Sequence, residues 1–127
     1  MNNLSSSVSA RALCEMATLV TASGGEAASV YDLAGVGDLY VTYQAGRNSR
    51  MGRLLGLGLP YGRAKAEHMA ADTVEGAQLA LDLGPTLEAM MTAGTLPAAK
   101  MPLTRAVVDA ICRDRPLTLD FSSYHRW

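Results

Sequence analysis

The sequence predicts an all-α domain, and three observations carry that prediction. Apolar residues recur at three- and four-residue steps in each long segment. The chain is 49% hydrophobic but only 6% aromatic, so Ala, Leu and Met must supply much of the core, and these are strong helix formers. No run of alternating apolar residues is long enough for a sheet of several strands. A length of 127 residues suits one domain, so a single helical domain over residues 1–127 is expected.

The elements follow in order. Over 8–20, Val8, Ala12, Leu13, Met16, Leu19 and Val20 form one apolar stripe, and Ser23-Gly24-Gly25 ends that helix. A short helix is expected over 26–33, then a turn with Gly35 and Gly37, then one helical turn or a short extended piece over 39–43. Gly46-Arg47-Asn48 reads as a helix start with Asn48 as its cap, and Gly58-Leu59-Pro60 as the stop. A short helix is predicted over 61–69. An amphipathic helix over 77–93 carries Leu79, Ala80, Leu83, Leu87, Met90 and Met91, with a break or kink at Gly84-Pro85. Pro102 suits the first turn of a last helix whose apolar face is Leu103, Ala106, Val107, Ala110 and Ile111. In the tail, Phe121, Tyr124 and Trp127 fit one helical face packed on the body.

Net charge is −1, so no overall positive field recruits nucleic acid or an acidic membrane surface. Cys14 and Cys112 are far apart in sequence and read as buried free thiols in a reducing compartment. No apolar run approaches a membrane span, and the first residues lack a signal-peptide pattern, so a soluble cytoplasmic protein is the default. His68 and His125 are too distant to suggest a metal pair, and no zinc-like spacing occurs, so no metal is expected.

Candidate chemistry centres on residues 34–50. Gly35 and Gly37 permit close backbone approach, and Asp38 and Thr42 would share one side of a helical turn. A carboxylate beside a hydroxyl can hold a polyol or orient a lysine. Gly46-Arg47-Asn48-Ser49 opens a helix, whose free N–H groups, with Arg47 and Arg50, suit a phosphate. Two readings stand side by side: a site for a phosphorylated polyol, or an ordinary Asp-capped turn followed by surface capping. The arginines at 47, 50, 53 and 63 likewise read as a solvated face or an anion site.

The string Ala34-Gly35-Val36-Gly37-Asp38-Leu39, followed by Thr42 and Arg47-Asn48, resembles the substrate-domain signature of NAD(P)-dependent glycerol-3-phosphate dehydrogenases. Arg11-Ala12-Leu13-Cys14-Glu15-Met16 is similar to that family's Arg-Gly-Leu-x-Glu-Met helix, with Ala12 in place of the glycine. Val74-Glu75-Gly76 resembles its Val-Glu-Gly segment, and Met101-Pro102-Leu103-Thr104 with Ala106-Val107 its Met-Pro-Ile-x-x-Ala-Val helix. The ordered matches run from about Asn3 to about Ile111.

The resemblance implies the helical C-terminal domain of the 6-phosphogluconate dehydrogenase-like type. It implies Asp38 and Thr42 as catalytic residues, Arg47 and Asn48 as contacts to the substrate phosphate, and Arg47 and Glu75 as cofactor contacts. The family reaction interconverts dihydroxyacetone phosphate and glycerol 3-phosphate with NAD or NADP, and feeds phospholipid synthesis. The family's N-terminal Rossmann domain, with Gly-x-Gly-x-x-Gly, has no counterpart here, nor has its Lys-Asn segment; the lysines are Lys65 and Lys100, outside the matching segments. The chain alone is therefore expected to bind no cofactor and to show no dehydrogenase activity. Its domain-junction face should be partly apolar, and self-association is expected. The alternative is a non-catalytic helical binding or oligomerisation module derived from that domain.

Overall fold

The computed structural model describes residues 3–26 and 46–122. Within them the chain is helical, with no strand. The expected helix over 26–33, the glycine turn, Asp38, Thr42, Tyr124 and Trp127 lie outside the described residues, apart from Glu26 itself.

Helix α1 spans Asn3–Ala22, α2 Arg47–Gly56, α3 Tyr61–His68, α4 Glu75–Ala93 and α5 Pro102–Cys112, with a 3-10 turn at Ala98–Lys100 before α5. Three of these helices end alike. After α1, Gly24 is left-handed (φ 92°), Gly24 N–H donates to Thr21 O at 3.1 Å and Gly25 N–H to Val20 O at 2.8 Å. This pair of bonds satisfies carbonyls that the last turn leaves open. The same pattern recurs after α2 at Gly58 and after α4 at Gly94. The glycine stops read from the sequence after α1 and α2 act where expected, and Gly94 adds a third.

Helix α4 differs from expectation: it runs unbroken through Pro85. Proline crowds both the backbone N–H and the Cβ of the residue before it. Here the preceding residue is Gly84, which has no Cβ. Gly84 also faces α5 closely, since a Cβ there would lie 2.6 Å from Cys112 Sγ and 3.2 Å from Val108 Cγ1. The Cys112 thiol donates to Ala80 O at 3.3 Å, tying the two helices at that point. Cys14 and Cys112 are free, as expected, but half-buried rather than buried.

One core cluster joins α2, α3, α4 and α5 through Met51, Leu55, Ala64, Met69, Val74, Ala77 and Ile111. Ala17 of α1 and Leu96, Met101, Val108 and Ala110 are buried as well. On α1 the apolar stripe is not the most buried face. Met16 is 38% exposed, whereas Arg11 and Glu15 are 1% and 2% exposed. Glu15 accepts N–H bonds from Leu103 (2.8 Å) and Thr104 (2.7 Å), the first turn of α5. Arg11 donates from Nη2 to Lys100 O at 2.9 Å and holds Nε 3.0 Å from Glu15 Oε2. A buried carboxylate is tolerable only with such partners, so this pair is a brace between α1 and α5. No helix among the described residues is long and apolar enough to cross a membrane.

Candidate functional site

Two helix starts meet at the N-terminal ends of α2 and α4. Gly46 precedes α2 with φ 106° and ψ 178°, a conformation essentially reserved for glycine. It delivers Arg47 and Asn48 as the first two helical residues. Gly46 at the cap position offers no side-chain acceptor, and the first turn of α2 has no acidic residue. The α2 dipole has its positive end here.

Asn48 does not cap its own helix, as the sequence suggested. Gly46 occupies the cap position, and Asn48 reaches across to α4. There Gly76 N–H donates to Asn48 Oδ1 at 2.9 Å. The residue at the cap position of α4 is Val74, which has no side-chain acceptor and is buried. Asn48 thus supplies from a distance the bond that α4 lacks locally. The approach requires glycine at 76: a Cβ there would lie 2.9 Å from Asn48 Oδ1 and 3.2 Å from its Cγ.

This single contact brings together three of the expected site residues. Arg47 and Asn48 stand at the start of α2, and Glu75 is the first residue of α4, next to Gly76. All three are exposed. Glu75 at that position also interacts favourably with the helix dipole. Asp38 and Thr42 lie outside the described residues, so their relation to this joint is not seen.

The four arginines read as a cluster divide into two pairs. Arg50 donates to His68 O at 3.0 Å and lies 3.6 Å from Asp72 Oδ2. Arg63 pairs with Glu67 at 3.0 Å, one helical turn along α3. These two are engaged within the fold. Arg47 and Arg53 have no ion-pair partner among the described residues.

Lys65 donates to Met69 O at 2.8 Å and Ala70 O at 3.3 Å, closing the end of α3. Lys100 lies in the 3-10 turn ahead of α5, and its carbonyl receives Arg11. Both lysines serve the scaffold or stand apart from the joint.

A wider cleft of about 780 Å³ lies elsewhere, between the second half of α4 and α5, lined by Glu88, Thr92, Arg105, Asp109 and Arg113. Arg113 makes two bonds to Glu88, at 2.6 and 3.0 Å, and a third to Asp109 at 3.3 Å. The Arg113 hydrogen bond holds the Glu88 carboxyl below the ordinary 4.5, and Glu88 in turn raises Arg113. Burial, then the Glu88 charge, pushes the Cys112 thiol up. Most charge here is neutralised internally, so size does not make this cleft the site. An apolar groove of about 330 Å³ lies between α1, α4 and α5, lined by Ala12, Met16, Leu79, Leu83, Leu87 and Val107. Leu79 and Leu83 are 57% and 43% exposed on its edge.

Sequence reasoning missed the roles of Arg11, Glu15 and Gly76. The signal that could have found them is the missing caps: Val74 and Met101 cannot cap the helices they precede, which leaves N–H groups open to a distant acceptor.

Comparison with known proteins bears on this joint. The family described as NAD-dependent glycerol-3-phosphate dehydrogenase C-terminus matches residues 1–118. A glycerol-3-phosphate dehydrogenase [NAD(P)+] of Synechococcus sp. (strain RCC307) is 36% identical over 107 residues, 83% of this chain and 33% of the relative. One of Agrobacterium fabrum (strain C58 / ATCC 33970) is 37% identical over 101 residues, 80% of this chain and 28% of the relative. The NADP(+)-dependent glycerol-3-phosphate dehydrogenase of Archaeoglobus fulgidus is 38% identical over 78 residues, 60% of this chain and 23% of the relative. The chain thus spans about a third or less of the length of the curated relatives it matches. No solved structure matches it. With the match covering both helix starts of the joint and the braced α1–α5 pair, this chain belongs to the C-terminal family of the NAD-dependent glycerol-3-phosphate dehydrogenases.

Proposed function

We propose that this chain is the substrate-binding domain of a glycerol-3-phosphate dehydrogenase, an enzyme that interconverts dihydroxyacetone phosphate and sn-glycerol 3-phosphate. The observation that carries the reading is the Asn48–Gly76 bond, which joins two segments far apart in sequence at one exposed corner that holds Arg47. In this reading Arg47, with the backbone N–H groups of Arg47 and Asn48 at the α2 start, holds the substrate phosphate. Charge-assisted bonds of this kind are the strong ones, and an arginine fork matches phosphate oxygens. Asn48 contributes an amide N–H. Glu75 and Arg47 face the cofactor from the same corner, and Asp38 and Thr42 serve the reacting hydroxyl end.

The residues present fit a phosphate-bearing dinucleotide at the edge of this corner, since Arg47 is exposed and unpaired among the described residues. When bound, NAD or NADP would supply the hydride acceptor or donor. This chain's own residues bind and orient. Neither Lys65 nor Lys100 stands at the joint, so a proton donor for the developing alkoxide must come from elsewhere. The isolated chain is accordingly proposed to be inactive. The apolar groove between α1, α4 and α5 supports a further part of the reading, that this domain docks on a nucleotide-binding domain or self-associates without one.

Titration of glycerol 3-phosphate into the full chain, followed by NMR, tests the phosphate assignment. Replacing Arg47 by alanine should weaken binding by about 1.5–3 kcal/mol per charge-assisted bond lost. Unchanged affinity would remove Arg47 from the site. Light scattering showing a strict monomer at high concentration would remove self-association.

A further inference from the structure

We infer that Gly76 is a positioning residue for the anion site: it fixes Asn48 as a hydrogen-bond donor toward the bound phosphate. This inference rests on the phosphate reading above and deepens it. An asparagine side chain has an acceptor end and a donor end, and a bound phosphate dianion accepts hydrogen bonds. The Gly76 N–H engages Oδ1 at 2.9 Å. That bond orients the amide, with the –NH₂ group as the end left for a ligand. Among the described residues no protein group accepts from Nδ2. Asn48 is exposed at the α2 start, beside Arg47, which has no ion-pair partner among the described residues.

A second observation separates this contact from ordinary capping. Two other helices here also lack a cap of their own and are capped from a distance. Helix α3 follows Pro60, and its Gly62 N–H donates to Asp114 Oδ1 at 2.7 Å. Helix α5 follows Met101, and its Leu103 and Thr104 N–H groups donate to Glu15. Both of those caps are carboxylates, the better partner for a helix N-terminus. At Gly76 the chain uses an amide instead. A carboxylate in that place would cap at least as well but would repel a phosphate at Arg47. The amide gives up part of the capping strength and adds no second carboxylate beside Glu75 to oppose the Arg47 charge.

The absent Cβ at 76 is what makes the placement possible. A methyl group there would fall 2.9 Å from Asn48 Oδ1. The atom in the way is the far end of a side chain, so Asn48 would swing aside while α4 stayed intact. Alanine also favours helix over glycine, which offsets the lost bond. Gly76→Ala should therefore leave the fold in place and displace Asn48.

The test is an NMR-detected titration of glycerol 3-phosphate into the full 127-residue chain and its variants, with a thermal melt of each. The wild type should bind, and Arg47→Ala should weaken it. Asn48→Asp should melt no lower than wild type yet bind roughly ten-fold or more weakly, the scale of one charge-assisted bond. Gly76→Ala should weaken binding with a near-unchanged melt, and should add nothing further on an Asn48→Ala background, because it acts through Asn48. If Arg47→Ala weakens binding but Asn48→Asp and Gly76→Ala both bind as wild type does, the positioning role is overturned and the phosphate reading stands. Gly76→Ala weakening binding equally on the Asn48→Ala background also overturns it, since the glycine then acts by another route. If the wild type does not bind, or Arg47→Ala binds as tightly, the phosphate reading fails and the inference falls with it.

Discussion

Helices α3 and α4 start in nearly the same way. Each follows a residue that cannot cap, Pro60 or Val74, and each has glycine as its second residue. Each glycine donates its N–H to a side chain from a distant element, Asp114 for Gly62 and Asn48 for Gly76. At each, a Cβ would crowd that side chain, at 3.0 Å from Asp114 Oδ2 and 2.9 Å from Asn48 Oδ1. The difference is the chemistry of the cap. Asp114 even adopts a left-handed backbone (φ 53°) at the end of α5, where glycine would be the relaxed choice. Its carboxylate serves α3, a bond that glycine could not make. Asn48 stands at the start of α2 beside Arg47, where a carboxylate would oppose the arginine's charge. One start is capped by a carboxylate, and the other by an amide that leaves its –NH₂ group beside Arg47.

That contrast can be broken at several points. The largest effect is expected at the third remote cap, which is buried. Glu15→Ala should strip two N–H groups of α5 and leave the buried Arg11 without its carboxylate, at a cost of about 3–5 kcal/mol. Urea unfolding measures it, and a loss below about 1 kcal/mol, the scale of an exposed cap, would place Glu15 outside the brace. Next is Asp114→Ala, expected to cost about 1–2 kcal/mol from the lost cap and the left-handed backbone. Asp114→Gly should cost less, since glycine relieves the backbone. If the two cost the same, strain at this position plays no part.

Smaller still is Asn48→Asp. At neutral pH it should stabilise the chain by about 0.3–1 kcal/mol, the exposed value of an anion at a helix start. The gain should vanish as pH falls through the aspartate range, which a series of melts would show. The smallest effect is expected at the exposed Glu88–Arg113 pair. Arg113 depresses the Glu88 pKa in the folded state, so the pair's contribution is present above the ordinary 4.5 and is lost as pH falls through the lowered value. Glu88→Gln should flatten that acid limb slightly. A Tm that rises on acidification in the wild type would contradict the sign.

Much of the fold was legible in the sequence because it depends on neighbours in the chain. Pro102 in a first turn and glycines after α1 and α2 act within a few residues. What stayed hidden acts over long separations. The caps Asn48–Gly76, Asp114–Gly62 and Glu15–Leu103 link residues 28, 52 and 88 positions apart. Asn48 has the residue type of a cap, but local pattern cannot tell which helix it serves. Pro85 reads as a breaker until Gly84 is seen to remove the Cβ part of the clash and the α4–α5 contact is seen to need that glycine. The buried face of α1 was misread because burial of Arg11 and Glu15 depends on α5 and Lys100, both far along the chain. Of the candidate site, the phosphate end was legible as residue types. Its geometry was not, since Glu75 comes near Asn48 only through a tertiary bond.

The measurement that bears most directly on the central claim follows the Gly76 amide and the Asn48 side-chain amide by NMR during a glycerol 3-phosphate titration of the full chain. Both signals, with the Arg47 guanidinium, should shift together and saturate along one binding curve. The Gly76 amide should stay protected from exchange throughout. Saturable shifts confined to the cleft around Arg105 and Arg113, with Gly76, Asn48 and Arg47 unmoved, would contradict the account.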